Sequence, residues 1–192
     1  MKFSQKEISD LLISWIVLSS AFILFTRSTS PIYIPQMFII VGIAFGLHEL
    51  SHKYVAQSYG LWSEYRKWNF GLLLALFFGL LAYFSGRGIL FAAPGAVMIM
   101  STGWITPEIE AKTSIAGPLA NIAVGAVAIL VRAVGLFYGF LTYLAMINFL
   151  LAVFNLLPVP PFDGSTVLRY NIVMWVSAFA VALVGLGVVM FV

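Results

Sequence analysis

The sequence predicts an all-α polytopic membrane protein of about six transmembrane helices, with one short membrane-embedded extended segment. Three observations carry that prediction. The 192 residues are 62% hydrophobic and only 9% charged, whereas a soluble domain carries about 25% charged residues and about half apolar ones. Apolar runs able, or nearly able, to cross roughly 30 Å of hydrocarbon recur along the chain between short polar turns. One further apolar run is interrupted by Gly86-Arg87-Gly88 and again by Pro94-Gly95, which a continuous helix does not accommodate. No polar linker divides the chain, so residues 1–192 read as a single domain.

The elements follow in order. Met1–Glu7 is short and polar, with Lys2 and Lys6. Ile8–Thr26 is the first span, and the lack of a small-residue cleavage site after it favours a retained helix over a signal peptide. The second span runs from about Pro35 to Tyr59, with Gly60 placed as its C-cap. Lys53 is expected to run its stem toward the interface. Leu61–Trp68 is a polar interlude whose tryptophans suit the headgroup zone. Asn69–Phe84 is apolar but short for a span. Gly88–Trp104 reads as extended or re-entrant and packed against protein, since irregular backbone at membrane depth needs protein or water around it. The alternative is a kinked transmembrane helix. Thr113–Val131, Phe137–Leu157 and Asn171–Val192 complete the spans.

Charge sets the orientation. With a cytosolic N-terminus, Lys2, Lys6, Lys53, Arg66, Lys67, Lys112 and Arg169 face the cytosol, and Arg27, Arg87 and Arg132 face outward. That satisfies the positive-inside rule. It describes an integral, multi-pass protein of the cell membrane whose polar site lies nearer the cytosolic side. The lipid bilayer is the expected environment. The net charge of +3 is too small to indicate a nucleic-acid partner. The chain has no cysteine, so a metal ion would take nitrogen and oxygen ligands.

The chemistry concentrates in His48-Glu49-Leu50-Ser51-His52, which holds the only two histidines. Four residues apart on a helix, they share a face and can grip one ion, with Glu49 placed as general base on water. Such a motif arises by chance in soluble proteins, but ionisable groups inside an apolar span are costly and mark function. A catalytic zinc takes three protein ligands and keeps one position open, so a third ligand is needed. Glu7, Asp10, Glu64, Glu108 and Glu110 each read as solvated or interfacial charges. Asp163 follows an apolar span and the three prolines Pro158, Pro160 and Pro161, close to membrane depth. The unwound backbone lets it turn back toward the histidines. Its competing reading is an ordinary Asp-Gly turn with Gly164. Asn155 either donates to a substrate carbonyl or oxyanion or bonds backbone freed by Pro158. Gly117-Pro118 and Asn121 read as marks of close helix packing rather than chemistry.

Three blocks in this order resemble the site-2 protease family of intramembrane zinc metalloproteases: His48–His52, Ala116-Gly117-Pro118-Leu119-Ala120-Asn121, and Asn155 through Gly164. The resemblance covers about residues 36–170. It implies one zinc ion held by His48, His52 and Asp163, with Glu49 as the catalytic base and Asn155 holding substrate. It further implies that Pro94, Gly95, Ala96 and Val97 belong to a short membrane-embedded sheet whose edge pairs with an unwound substrate. Ser51 and Ser165 stand where the family more often has glycine.

The function implied is hydrolysis of peptide bonds in transmembrane segments of membrane-protein substrates, that is, regulated intramembrane proteolysis. Two other classes compete. A catalytically silent relative would bind transmembrane segments without cutting them, which the presence of Glu49 argues against. A metal transporter would need polar groups strung across the bilayer, whereas here they cluster on one side.

Overall fold

The computed structural model describes residues 2–27, 30–88, 94–100 and 104–191. It is mostly helical. The helices are α1 (Gln5–Thr26), α2 (Tyr33–Ser58), α3 (Asn69–Ser85), α4 (Pro107–Arg132), α5 (Tyr138–Asn155), α6 (Asp163–Tyr170) and α7 (Ile172–Phe191), and the strands are β1 (Trp62–Lys67) and β2 (Gly95–Met100). Among the described residues five helices, α1, α2, α4, α5 and α7, are long and apolar enough to cross a membrane, and α3 is a shorter apolar helix of 17 residues. The chain is a multi-pass membrane protein.

Local chemistry sets the helix ends. Ser4 Oγ accepts from Glu7 N at 3.1 Å to cap α1, and Thr106 Oγ1 accepts from Ile109 N at 3.3 Å to cap α4, with Pro107 beginning that helix. At the end of α2 the cap is Tyr59, and Gly60 follows at φ +74°. Glycine sits there because the left-handed conformation strains any side chain.

α4 lies between α2 and α5, α1 packs on α2 and α3, and α7 on α5. Lipid tails are as apolar as leucine, so helices associate here by close fit more than by hydrophobic burial. Phe149 of α5 shows this. A Cβ on Gly125 of α4 or on Gly185 of α7 would stand 2.7 or 2.2 Å from its ring. Glycines on two helices thus make the slot that one aromatic ring fills.

The extended segment is real, and its six described strand residues form β2. Residues 89–93 and 101–103, which belong to the same expected segment, lie outside the described residues. The partner strand differs from expectation. The polar interlude at 61–68 contains β1, antiparallel to β2 with Trp62 opposite Met100 and Lys67 opposite Gly95. Ser63, Glu64 and Tyr65 are all buried, so β1 is covered on both faces and shows no polar–apolar alternation.

Four charge assignments also change, those of Lys53, Glu7, Asp10 and Glu64. Lys53 does not reach the interface: it is 2% exposed and ion-paired with Glu7, itself 1% exposed, at 2.9 Å to each carboxylate oxygen. Asp10 and Glu64 are buried as well, and Glu64 pairs with Arg66 at 2.6 Å. A lysine buried this completely requires such a partner. Removing one member of a buried pair costs about 3–5 kcal/mol, while an apolar pair of similar volume is often no worse. Glu108 and Glu110 remain exposed, as expected.

Candidate metal centre

Two adjacent turns of α2 project His48 and His52 onto one face, and both are buried. Each ring is fixed through Nδ1. His52 Nδ1 lies 2.7 Å from the Thr113 carbonyl, which can only accept, so Nδ1 carries the proton. His48 Nδ1 lies 2.6 Å from Asn121 Oδ1. Asn121 is oriented in turn, since its Nδ2 donates to Ala44 O and to Asn148 Oδ1, both at 2.9 Å. Asn148 is oriented by its Nδ2 donating to Leu144 O at 2.8 Å. Both histidines therefore present Nε2 lone pairs.

Asp163 completes the cluster from the far end of the chain. The prolines unwind the backbone after Asn155, and Asp163 is the first residue of α6 rather than part of an isolated Asp-Gly turn. A carboxylate is favoured at that helix start. Gly164 lets the new helix press against the end of α5, since a Cβ on it would stand 2.1 Å from Leu156 O. The same carbonyl accepts from Trp175 Nε1 at 2.8 Å, tying α7 to the turn. Ser165 does not disturb this turn, and its Oγ donates to Phe162 O at 2.8 Å. Ser51 Oγ likewise bonds within its own helix, to Leu47 O at 2.7 Å.

The three groups fit a metal ion. Asp163 Oδ2 lies 3.5 Å from His48 Nε2 and 3.3 Å from His52 Nε2, and the two Nε2 atoms are 3.0 Å apart. Bonds of about 2.0–2.2 Å around a tetrahedral ion place ligand atoms about 3.3–3.5 Å apart. Two imidazole lone pairs and a carboxylate oxygen aimed at one another repel unless a cation lies among them. His48, His52 and Asp163 could hold that ion.

Gly117 of α4 forms one wall of this cluster. A Cβ there would stand 2.4 Å from His52 Nε2 and 2.7 Å from His48 Nε2. Pro118, inside α4, has no N–H to give the Ser114 carbonyl. Gly117-Pro118 and Asn121 were expected to mark close helix packing or a helix start near the site, without a part in its chemistry. The structure puts Gly117 and Asn121 in contact with the histidines, and Asn148 behind Asn121, a residue the sequence does not single out.

The cluster opens into a cavity of about 420 Å³, within the range of ligand pockets. Its lining includes Glu49, Asn155, Thr113 and residues 94–99 of the β2 segment. Glu49 is 6% exposed, and neither its Oε2 nor Thr113 Oγ1 has a hydrogen-bond partner among the described residues. Buried polar atoms left open beside a cavity are where water binds. Asn155 lines the same space while its Nδ2 donates to Leu151 O at 3.0 Å. Trp68 N donates to Pro94 O at 2.7 Å. By strand alternation, the backbone groups of Gly95, Val97 and Ile99 then point to the other edge of β2. Among the described residues no strand pairs with that edge.

The family model described as peptidase family M50 matches residues 131–191, the part that contains Asn155 and Asp163. A protein of Methanocaldococcus jannaschii named "Putative zinc metalloprotease MJ0611" is 41% identical over 192 residues, covering 98% of this chain and 93% of that protein. A second protein of the same organism, named "Zinc metalloprotease MJ0392", is 30% identical over 166 residues, covering 83% of this chain and 41% of its own length. No solved structure matches. A likeness that spans nearly all of both chains places this one in the peptidase family M50, the site-2 protease family.

Proposed function

We propose that the chain is an intramembrane zinc endopeptidase that hydrolyses peptide bonds in transmembrane segments of membrane proteins. The observation that carries the reading is the convergence of His48, His52 and Asp163 on one point beside a cavity that also holds an unpartnered Glu49 oxygen. A zinc ion held there supplies a Lewis acid that polarises a carbonyl and acidifies water. The residues of the chain do the rest. Glu49 accepts a proton from the attacking water as its oxygen bonds to the carbonyl carbon. It returns that proton to the amine nitrogen as the C–N bond breaks. Asn155, which lines the same cavity, would orient the carbonyl through a side-chain N–H.

A transmembrane helix hides its peptide bonds in its own hydrogen bonds, so cleavage requires local unwinding. The open edge at Gly95, Val97 and Ile99 re-pairs an extended segment there. Pro94 and Ala96 share that wall of the cavity. The distribution of basic residues favours the metal site toward the cytosol, in a protein that we assign to the cell membrane. Residues 1–192 would act as one domain.

The test is cleavage of transmembrane peptides by the full chain in liposomes, wild type beside Glu49→Gln, with zinc measured in both. Equal zinc and a rate about 10²–10⁴-fold lower in the variant is the expected result. Equal rates would remove Glu49 from the mechanism. No cleavage by zinc-loaded wild type across a broad peptide panel would favour a relative that binds transmembrane segments without cutting them.

A further inference from the structure

The buried Glu7–Lys53 pair does more than neutralise two charges. β1 has two edges, and β2 occupies one. The other carries the carbonyl of Ser63 and the N–H of Tyr65. Lys53 Nζ donates to Ser63 O at 2.7 Å, and Glu7 Oε1 accepts from Tyr65 N at 3.0 Å. The ammonium takes the acceptor of the strand and the carboxylate takes its donor, in the order a third strand would supply them. All three ammonium donors are used, on Glu7 Oε1, Glu7 Oε2 and Ser63 O. Tyr65 Oη adds a bond to Ser14 Oγ of α1 at 2.9 Å, and Ser4 Oγ donates to Glu64.

A buried strand edge left unpaired is costly, and an open one invites pairing with another strand. The ion pair closes this one and leaves the edge of β2 that faces the cavity as the open edge among the described strands. It also ties the sheet to the metal helix, because Lys53 adjoins His52 in sequence. We propose that Glu7 and Lys53 are positioning residues that cap the outer edge of β1 and fix the height of the sheet over the metal site, so that they determine which substrate bond is cut. This rests on the proteolytic reading above. Successive residues of a bound strand are about 3.3 Å apart, so a small displacement of the sheet brings a neighbouring bond to the site.

The test replaces the pair by apolar residues of similar volume, Glu7→Met with Lys53→Met, in the full chain. Three quantities are read: zinc per chain, amide exchange along β1 and β2, and the map of bonds cut in a transmembrane peptide that the wild type cleaves. Expected are wild-type zinc, at least about 10-fold faster exchange at Tyr65 and along β2, and cuts spread to adjacent bonds with the main cut about 10-fold slower, as small misplacements of reacting groups allow. If the double variant fails to accumulate, Glu7→Leu with Lys53→Leu is scored in the same way. It too uncovers Ser63 O and Tyr65 N without leaving a lone buried charge. A single cut at the wild-type bond, with unchanged exchange in the strands, overturns the proposal in either variant. The exchange measurement needs no substrate. Zinc-loaded wild type that cuts nothing would sink the proteolytic reading, while slow strand exchange lost in the variant would still establish the cap.

Discussion

Gly117 stands so close to His52 that a Cβ on it would lie 2.4 Å from the Nε2 atom of the ring. The helix α4 is thus part of the metal centre through the side chain it lacks. Replacement by alanine forces the rings apart or tilts α4. Gly117→Ala is expected to lower zinc content and to destabilise the fold by about 1–3 kcal/mol, as overpacking does. Thermal unfolding and metal analysis of the same preparation check it. Wild-type zinc affinity in the variant would mean that the rings have room that the structure does not give them.

Asp163 can serve as a third ligand because the turn after Asn155 aims it at the histidines. Asp163→Ala is expected to weaken zinc by more than the about 10–100-fold that outer partners are worth, and to leave the helix bundle folded. Metal content after dialysis against a weak chelator decides this. Retention of one zinc per chain would mean that another group completes the site.

Asn121 fixes the tautomer of His48, and Asn148 fixes Asn121. Asn121→Leu is expected to lower zinc affinity about 10–100-fold. Asn148→Leu leaves the bond from Asn121 to Ala44 in place and should cost less. Competition with a chromophoric chelator ranks the three proteins. An order in which Asn148→Leu is the weaker binder would contradict the relay.

Acid competes with metal for the same lone pairs. A proton on Nε2 excludes zinc, so acid lowers metal affinity and a return to higher pH restores it. Chelator competition from pH 8 down to pH 5 is expected to show that sense of change, and an affinity that rises in acid would exclude imidazole ligands.

The residues of the candidate metal set were legible in the sequence because their signals are local or singular. His48 and His52 share a four-residue spacing, and Asp163 is a carboxylate at the end of an apolar run broken by prolines. The spans were legible because length and apolarity suffice to mark them. β1 was not. The residues Trp62–Lys67 look like a polar turn because their burial comes from α1, α2 and β2 and leaves no alternating pattern. The roles of Asn121 and Asn148 were hidden for a similar reason, since their meaning depends on partners 73 and 27 residues away from Asn121. Lys53 looked like an interfacial lysine until its partner at a separation of 46 residues was seen.

That separation bears on the order in which the protein assembles. Glu7 is made early, but its cation lies 46 residues later and the strand it caps 58 residues later. Until the chain has been synthesised past Tyr65, the Glu7 carboxylate has no reason to leave water. The first helix can insert, yet it cannot take its final depth. The N-terminal turn thus docks only after the second helix and the first strand exist, although it is among the first residues made.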